Sequence, residues 1–259
     1  MIRILGRGCL RWHAPLSRAF ITTYLTKPKM ERHPHKDWPV SFEVLQRLAE
    51  SVQPYGELIV CADELKPIHV PEALRETVTV FPVTTPVGNV YFERWDLVRD
   101  VLTQRTDLAH AYAVDARDVI VVKDPWDFIA PGTLYTCTEV LSHRILPRWR
   151  GQPLGLSGFI NDKSFHSSPV IQQWIRQNPN LVALNAGVTG ADRATLLAFA
   201  TLMADRRLES HVANDYTDMA LFNFVAYNSG FPVVGSEEFI GAKCNTAAEA
   251  PLARVIHVP

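Results

Sequence analysis

An apolar segment that ends directly in acidic residues does most to restrict the fold of this chain. Residues 109–114 predict a buried strand, and Asp115, Arg117 and Asp118 follow at once, before a second apolar run at 119–122. Carboxylates at the end of a buried strand cost free energy unless a cation neutralises them. A divalent cation such as Mg²⁺ or Mn²⁺, which takes oxygen ligands, would neutralise the two carboxylates. The alternative is that Arg117 pairs with one aspartate and the other caps a turn.

Composition narrows the class of protein. A chain of 259 residues with 47% hydrophobic and 20% charged residues predicts a globular domain and excludes wholesale disorder. A net charge of −1 gives no general attraction to nucleic acid or membrane. The four cysteines form no metal-binding pair, which favours reduced thiols and a cytoplasmic location. No apolar run approaches the roughly 18 residues that a membrane span needs. The basic residues of segment 1–18, which has no acid, predict a solvated arm, with a transit peptide as the less favoured interpretation.

Strand-like and helix-like patterns alternate along the chain. The predicted strands cover residues 19–25, 57–62, 78–83, 109–114, 119–122, 133–137 and 181–184. The predicted helices begin at residues 41, 92, 191 and 215. This alternation predicts a single α/β, Rossmann-like domain over residues 1–259, with a mainly parallel central sheet flanked by helices. In such folds ligands bind beyond the carboxyl ends of the strands, where Thr22, Asp63, Asp115 and Asn185 are expected to gather.

The acidic segment resembles a motif of a known family. AVDARDVIVVKDPW is similar to a pattern of glycosyltransferases with the GT-A fold, which use nucleotide-diphosphate sugars. The pattern is a variant of that family's DxD motif, whose carboxylates hold Mn²⁺ or Mg²⁺ against the donor diphosphate. Here an extra residue separates the two acids, so Asp115 or Asp118 is the chief metal ligand. ARVIHVP resembles the late strand whose histidine, here His257, completes the metal site.

Three further segments resemble the same family, in the same order along the chain. Thr22, Thr23 and Tyr24 end the first strand, where these enzymes hold the nucleoside. LNAGVTG, at residues 184–190, is similar to a turn that faces the donor sugar. TDMALFN, at residues 217–223, looks like an acidic helix start, although Met219 stands where glutamine is common. The resemblance therefore implies a metal-dependent glycosyltransferase with a UDP- or GDP-sugar donor and an unidentified acceptor.

The resemblance gives individual residues a role, and each role has a plain structural alternative. Asp218 is the candidate carboxylate beside the transferred sugar, and Asp215 is the second candidate, although both also suit a helix N-terminus. Arg94 is expected to contact the donor or to form a salt bridge. Arg117 is expected to contact phosphate or to orient the acids. Asn185 and Gly187 would line the sugar pocket, unless they form an ordinary left-handed turn.

Two other functions are compatible with paired acids on a parallel sheet. A sugar nucleotidyltransferase also holds Mg²⁺ against phosphates, but it normally carries a glycine-rich basic loop after the first strand. The segment FITTYLTKPK has lysines and no glycine, which counts against that function. A degenerate module that binds partners without catalysis is the other alternative, and the presence of Asp115, Asp118, Asn185 and Asp218 counts against it.

Overall fold

A computed structural model describes residues 17–26, 39–84, 89–139, 154–159, 168–209, 218–235, 240–242 and 252–257. The helices in these ranges are α1 (Glu43–Val52), α2 (Val90–Gln104), α3 (Pro169–Gln177), α4 (Arg193–Glu209) and α5 (Met219–Asn228). The strands are β1 (Ser17–Tyr24), β2 (Glu57–Ala62), β3 (Val78–Pro82), β4 (Leu108–Val114), β5 (Val119–Val121), β6 (Leu134–Thr138), β7 (Leu184–Asp192), β8 (Val233–Gly235), β9 (Ile240–Ala242) and β10 (Val255–His257). None of these helices is long and apolar enough to cross a membrane.

Seven strands form the central sheet, in the order β3-β2-β1-β4-β7-β6-β8. Strands β3, β2, β1 and β4 are parallel to one another, and β6 is parallel to β8. Strand β7 is antiparallel to both of its neighbours, β4 and β6. The prediction of an α/β fold with a mainly parallel central sheet is therefore confirmed, and the architecture is consistent with a Rossmann-like fold.

Both faces of the central sheet are covered, as the continuous apolar strands predict. In β1, Ala19 and Ile21 pack in one core with residues of α2, α4 and α5. The alternate residues Phe20 and Tyr24 pack in a second core with residues of α1 and of β5, β9 and β10. This alternation follows from the two-residue period of a strand, which turns successive side chains to opposite faces.

The three remaining strands form a small second sheet, in the order β5-β10-β9. Residues 115–118 link the end of β4 to the start of β5. Strand β10 is antiparallel to β5, and its register sets His257 opposite Val119. The last residue of β10 therefore lies beside the start of β5, close to the link that carries the two acids.

The structure corrects the prediction for residues 181–187. Strand β7 begins at Leu184, so Asn185 and Gly187 are strand residues rather than a turn after a strand. Because β7 is antiparallel to β4, with Val188 opposite Val114, its first residues lie at the edge where β4 ends. Asn185 and Gly187 therefore lie at the predicted edge of the sheet, but at the start of an antiparallel strand and not after the end of a parallel one. The pattern of apolar residues does not reveal the direction of a strand. Helix α4 accordingly begins at Arg193, later than predicted.

Candidate functional site

Three side chains that can hold a metal ion meet at the junction of the two sheets. One ligand atom from each of Asp115, Asp118 and His257 lies within 4.8 Å of the other two. Nε2 of His257 is 3.5 Å from Oδ2 of Asp115 and 3.3 Å from Oδ2 of Asp118. The link after β4 supplies both acids, and the β5–β10 register supplies the histidine. The residues predicted as metal ligands are thus brought together.

Several polar atoms of this cluster are buried without a hydrogen-bond partner. Within the described part of the chain, neither ring nitrogen of His257 has such a partner, and neither does Oδ1 of Asp118. Leaving a buried polar atom unsatisfied costs about 1–3 kcal/mol, and more if the group is charged. A cation coordinated by Nε2 of His257 and by the carboxylates of Asp115 and Asp118 would give some of these unsatisfied atoms a partner. The donor set therefore fits a metal ion.

Gly187 leaves the space in which the three ligand atoms meet. A Cβ atom at this position would lie 2.7 Å from Nε2 of His257 and 2.8 Å from Oδ2 of Asp115, too close for any real contact. Gly187 lies within the extended strand β7, so its backbone conformation does not require glycine. The requirement is one of space, because a side chain here would fill the cluster.

We expect Gly187→Ala to weaken Mn²⁺ binding by about tenfold or more, because the methyl group displaces His257 and Asp115 from a shared ligand position. Isothermal titration with MnCl₂ measures the change. Gly235→Ala is the matched control, since it adds a methyl group to another strand, 3.0 Å from a leucine methyl and away from the acids. Equal Mn²⁺ affinity in the wild type and Gly187→Ala would contradict the proposed position of the ion.

Arg94 connects this cluster to Asp218. Arg94 lies on α2, and its side chain is 12% exposed. Nη1 donates to Oδ1 of Asp115 at 2.6 Å, while Nε and Nη2 donate to Oδ2 of Asp218 at 3.0 and 2.6 Å. Asp115 therefore uses one carboxylate oxygen towards Arg94 and turns the other towards His257. Asp218, directly before α5, is thus joined to the cluster through Arg94.

The electrostatics of the site favour a further positive charge. Asp115, Asp118 and Asp218 carry up to three negative charges, against one positive charge on Arg94 and a second on His257 when it is protonated. Burial opposes ionisation of Asp115, but Arg94 and His257 outweigh it and lower the pKa of this carboxyl. Burial raises the pKa of Asp218, and Arg94 offsets only part of that effect. Burial also disfavours charged His257, yet the neighbouring carboxylates raise its pKa well above the ordinary value. Without a metal, the two carboxylates therefore favour a proton on His257. A metal would instead bind the neutral imidazole and take the place of that proton.

The residues predicted to hold a nucleoside lie on β1, beside the end of β4. Thr22 is opposite Val114, and its buried hydroxyl has no hydrogen-bond partner within the described ranges. Thr23 is half-buried, whereas the buried Tyr24 donates its hydroxyl to the carbonyl of Pro39 at 2.6 Å. Burial raises the pKa of Tyr24, and the nearby positive charge of Arg117 opposes this shift. Arg117 itself is exposed.

The side-chain amide of Asn185 forms hydrogen bonds through both its nitrogen and its oxygen. Nδ2 donates to Oε2 of Glu139 at 2.5 Å, and Oδ1 accepts the backbone N–H of Gly187 at 2.7 Å. These bonds hold the start of β7 in place and thereby fix Gly187 beside the cluster. Asp215, the second candidate carboxylate, lies outside the described residues.

Three residues of the site were missed at the sequence level. Trp95 donates its indole N–H to Asp218, and Glu139 binds Asn185. Burial raises the pKa of Tyr91, and the charges of Asp115 and Asp218 add to the shift. Tyr91 is one helical turn before Arg94, a spacing that could have indicated a shared face. Nothing in the sequence pointed to Glu139.

Comparison with known proteins assigns no family. A scan against protein-family models found no match, and a search of curated proteins found none either.

Proposed function

We propose that this chain is a metal-dependent glycosyltransferase with a GT-A-like fold, which moves a sugar from a UDP- or GDP-sugar to an acceptor. One observation carries the proposal: Asp115, Asp118 and His257 converge beside a strand glycine, and Arg94 links the same cluster to the buried carboxylate of Asp218. The cluster follows β4, at the edge where Rossmann-like sheets bind nucleotides.

The donor atoms support Mn²⁺ or Mg²⁺ as the ion. Two carboxylates suit hard divalent cations, and an imidazole is also acceptable to Mn²⁺. Asp115, Asp118 and His257 would hold the ion on one side. When bound, the ion supplies Lewis-acid stabilisation of the diphosphate leaving group. An ion with three protein ligands keeps positions open for phosphate oxygens.

The other residues of the site bind and orient the donor. Asp218 holds a carboxylate beside the sugar and stabilises the positive charge that develops at the anomeric carbon. Arg94 uses three N–H groups on Asp115 and Asp218, and a guanidinium has five, so further donors remain for a phosphate or hydroxyl. Gly187 leaves room for the metal ligands His257 and Asp115. Thr22, Thr23 and Tyr24, on the strand at the other side of β4, bind the nucleoside in this proposal.

A panel of sugar nucleotides tests the proposal. We expect slow release of UDP or GDP from at least one donor in the presence of MnCl₂, and none after addition of EDTA. The measurement is a coupled nucleoside-diphosphate assay across UDP- and GDP-sugars. Release of pyrophosphate from a nucleoside triphosphate and a sugar phosphate would instead favour a nucleotidyltransferase. A module that only binds partners would release neither product.

A further inference from the structure

The carboxylate of Asp218 is held from one side. Its side chain is 2% exposed, and Nε and Nη2 of Arg94 reach Oδ2 at 3.0 and 2.6 Å. Nε1 of Trp95 reaches the same oxygen at 2.7 Å. None of the hydrogen bonds described for this carboxylate ends on Oδ1. Three donors on one oxygen fix the orientation of the group while leaving the other oxygen to a ligand.

We infer that Trp95 is a positioning residue, which holds Oδ2 of Asp218 so that Oδ1 faces the donor sugar. This inference rests on the proposed glycosyltransferase function, in which Asp218 stabilises charge at the anomeric carbon. Trp95 is 1% exposed, so its indole is enclosed by protein and is not available to a bound donor. It acts through the orientation of the carboxylate, because a negative charge stabilises a transition state only if it is already in place.

Trp95 suits this role better than Arg94 does alone. Arg94 divides its donors between Asp115 and Asp218, so its position depends on the metal cluster as well. The indole has a single N–H, which it gives to Asp218. Unlike the guanidinium of Arg94, the indole N–H of Trp95 is therefore not shared with Asp115.

The indole ring is fixed by packing between two other helices. It stacks on Phe222 of α5, with ring centroids 5.7 Å apart and an interplanar angle of 24°. It also meets the ring of Phe199 of α4 edge-on, at 5.4 Å. Because Asp218 directly precedes α5, the same packing holds both the donor and the helix that carries the acceptor. A phenylalanine at position 95 could keep most of the packing but would lose the donor.

The alternative is that Trp95 is only a core residue. Buried tryptophans usually give their N–H to some acceptor, so the bond alone does not establish a role. The experiment must separate loss of the donor from loss of packing. Phe199→Leu is the matched control, because it loosens the same aromatic group while the indole N–H of Trp95 remains.

For Trp95→Phe we expect kcat to fall about tenfold and the donor KM to change by less than about twofold. The assay is Mn²⁺-dependent hydrolysis of the UDP- or GDP-sugar that the wild type cleaves. The affinity for Mn²⁺ alone, measured by titration, is expected to stay at the wild-type value. Phe199→Leu is expected to lower Tm but to keep kcat near that of the wild type.

A second measurement does not require the Trp95 variant to fold. In the wild type the indole N–H proton of Trp95 should give a downfield NMR signal that is protected from solvent exchange. That signal should move in Asp218→Asn. An unchanged signal would overturn the inference, because the bond would not exist in solution.

The possible outcomes separate this inference from the proposed function. A wild-type protein that hydrolyses no sugar nucleotide overturns both. An active wild type with unchanged kcat in Trp95→Phe overturns only the role of Trp95. The same is true if Trp95→Phe and Phe199→Leu lose kcat equally, since packing would then explain the loss.

Discussion

Replacing Asp218 with asparagine is expected to lower kcat by about a thousandfold and to change the donor KM by less than about threefold. An interaction that strengthens as positive charge develops at the sugar acts mainly on the transition state, so its loss appears in kcat. Asparagine keeps an oxygen that can accept the N–H groups of Arg94 and Trp95, whereas alanine would leave both without this acceptor. Steady-state kinetics with the best donor measures the effect.

The same change should also destabilise the protein, and this needs its own control. Asp218→Asn removes one partner of a buried ion pair, which costs about 3 kcal/mol of unfolding free energy. Asp192→Asn is a matched control, because Asp192 is also a carboxylate at a helix start and accepts the backbone N–H of Thr195 at 3.0 Å. It lies at the opposite end of β7 from Gly187. A similar loss of kcat in both variants would show that instability, and not lost charge, explains the effect.

For Asp118→Asn we expect turnover to fall by at least about a hundredfold, with Tm in metal-free buffer close to that of the wild type. The side chain is 40% exposed, and it has no role in core packing. The substitution keeps its shape but removes a charge that the ion requires. Turnover and thermal unfolding, each with and without MnCl₂, measure the two effects.

The rise in Tm on addition of metal tests Asp118→Asn independently of turnover. A ligand that binds only the folded state raises Tm as its concentration rises above Kd. Wild-type protein should therefore gain Tm on addition of MnCl₂, and Asp118→Asn should gain much less. Asp127→Asn, a change at an exposed acid further along the chain, is expected to behave like the wild type. Wild-type turnover in Asp118→Asn would remove Asp118 from the metal site.

Much of the fold was predictable because its signals are local. The bounds predicted for β2, residues 57–62, are those the structure has, since an unbroken apolar run between turn residues marks a buried strand. The acids after β4 were predicted at the sheet edge for the same reason. The direction of β7 was not predictable, because its pairing with β4 depends on residues far away in the chain.

Contacts between distant segments explain what was missed at the site. Trp95 and Asp218 are 123 residues apart, so no local pattern in the sequence relates them. Gly187 was expected in a turn, yet glycine is required there because His257 and Asp115 occupy the space of a side chain. Such requirements arise from tertiary packing and leave no pattern in the sequence.

Anomalous diffraction from crystals grown with MnCl₂ and UDP or GDP tests the metal site most directly. We expect a manganese peak at about 2.1–2.3 Å from a carboxylate oxygen of Asp115, one of Asp118 and Nε2 of His257, with the diphosphate on its open side. A peak elsewhere in the protein, or no peak at saturating MnCl₂, would contradict this expectation.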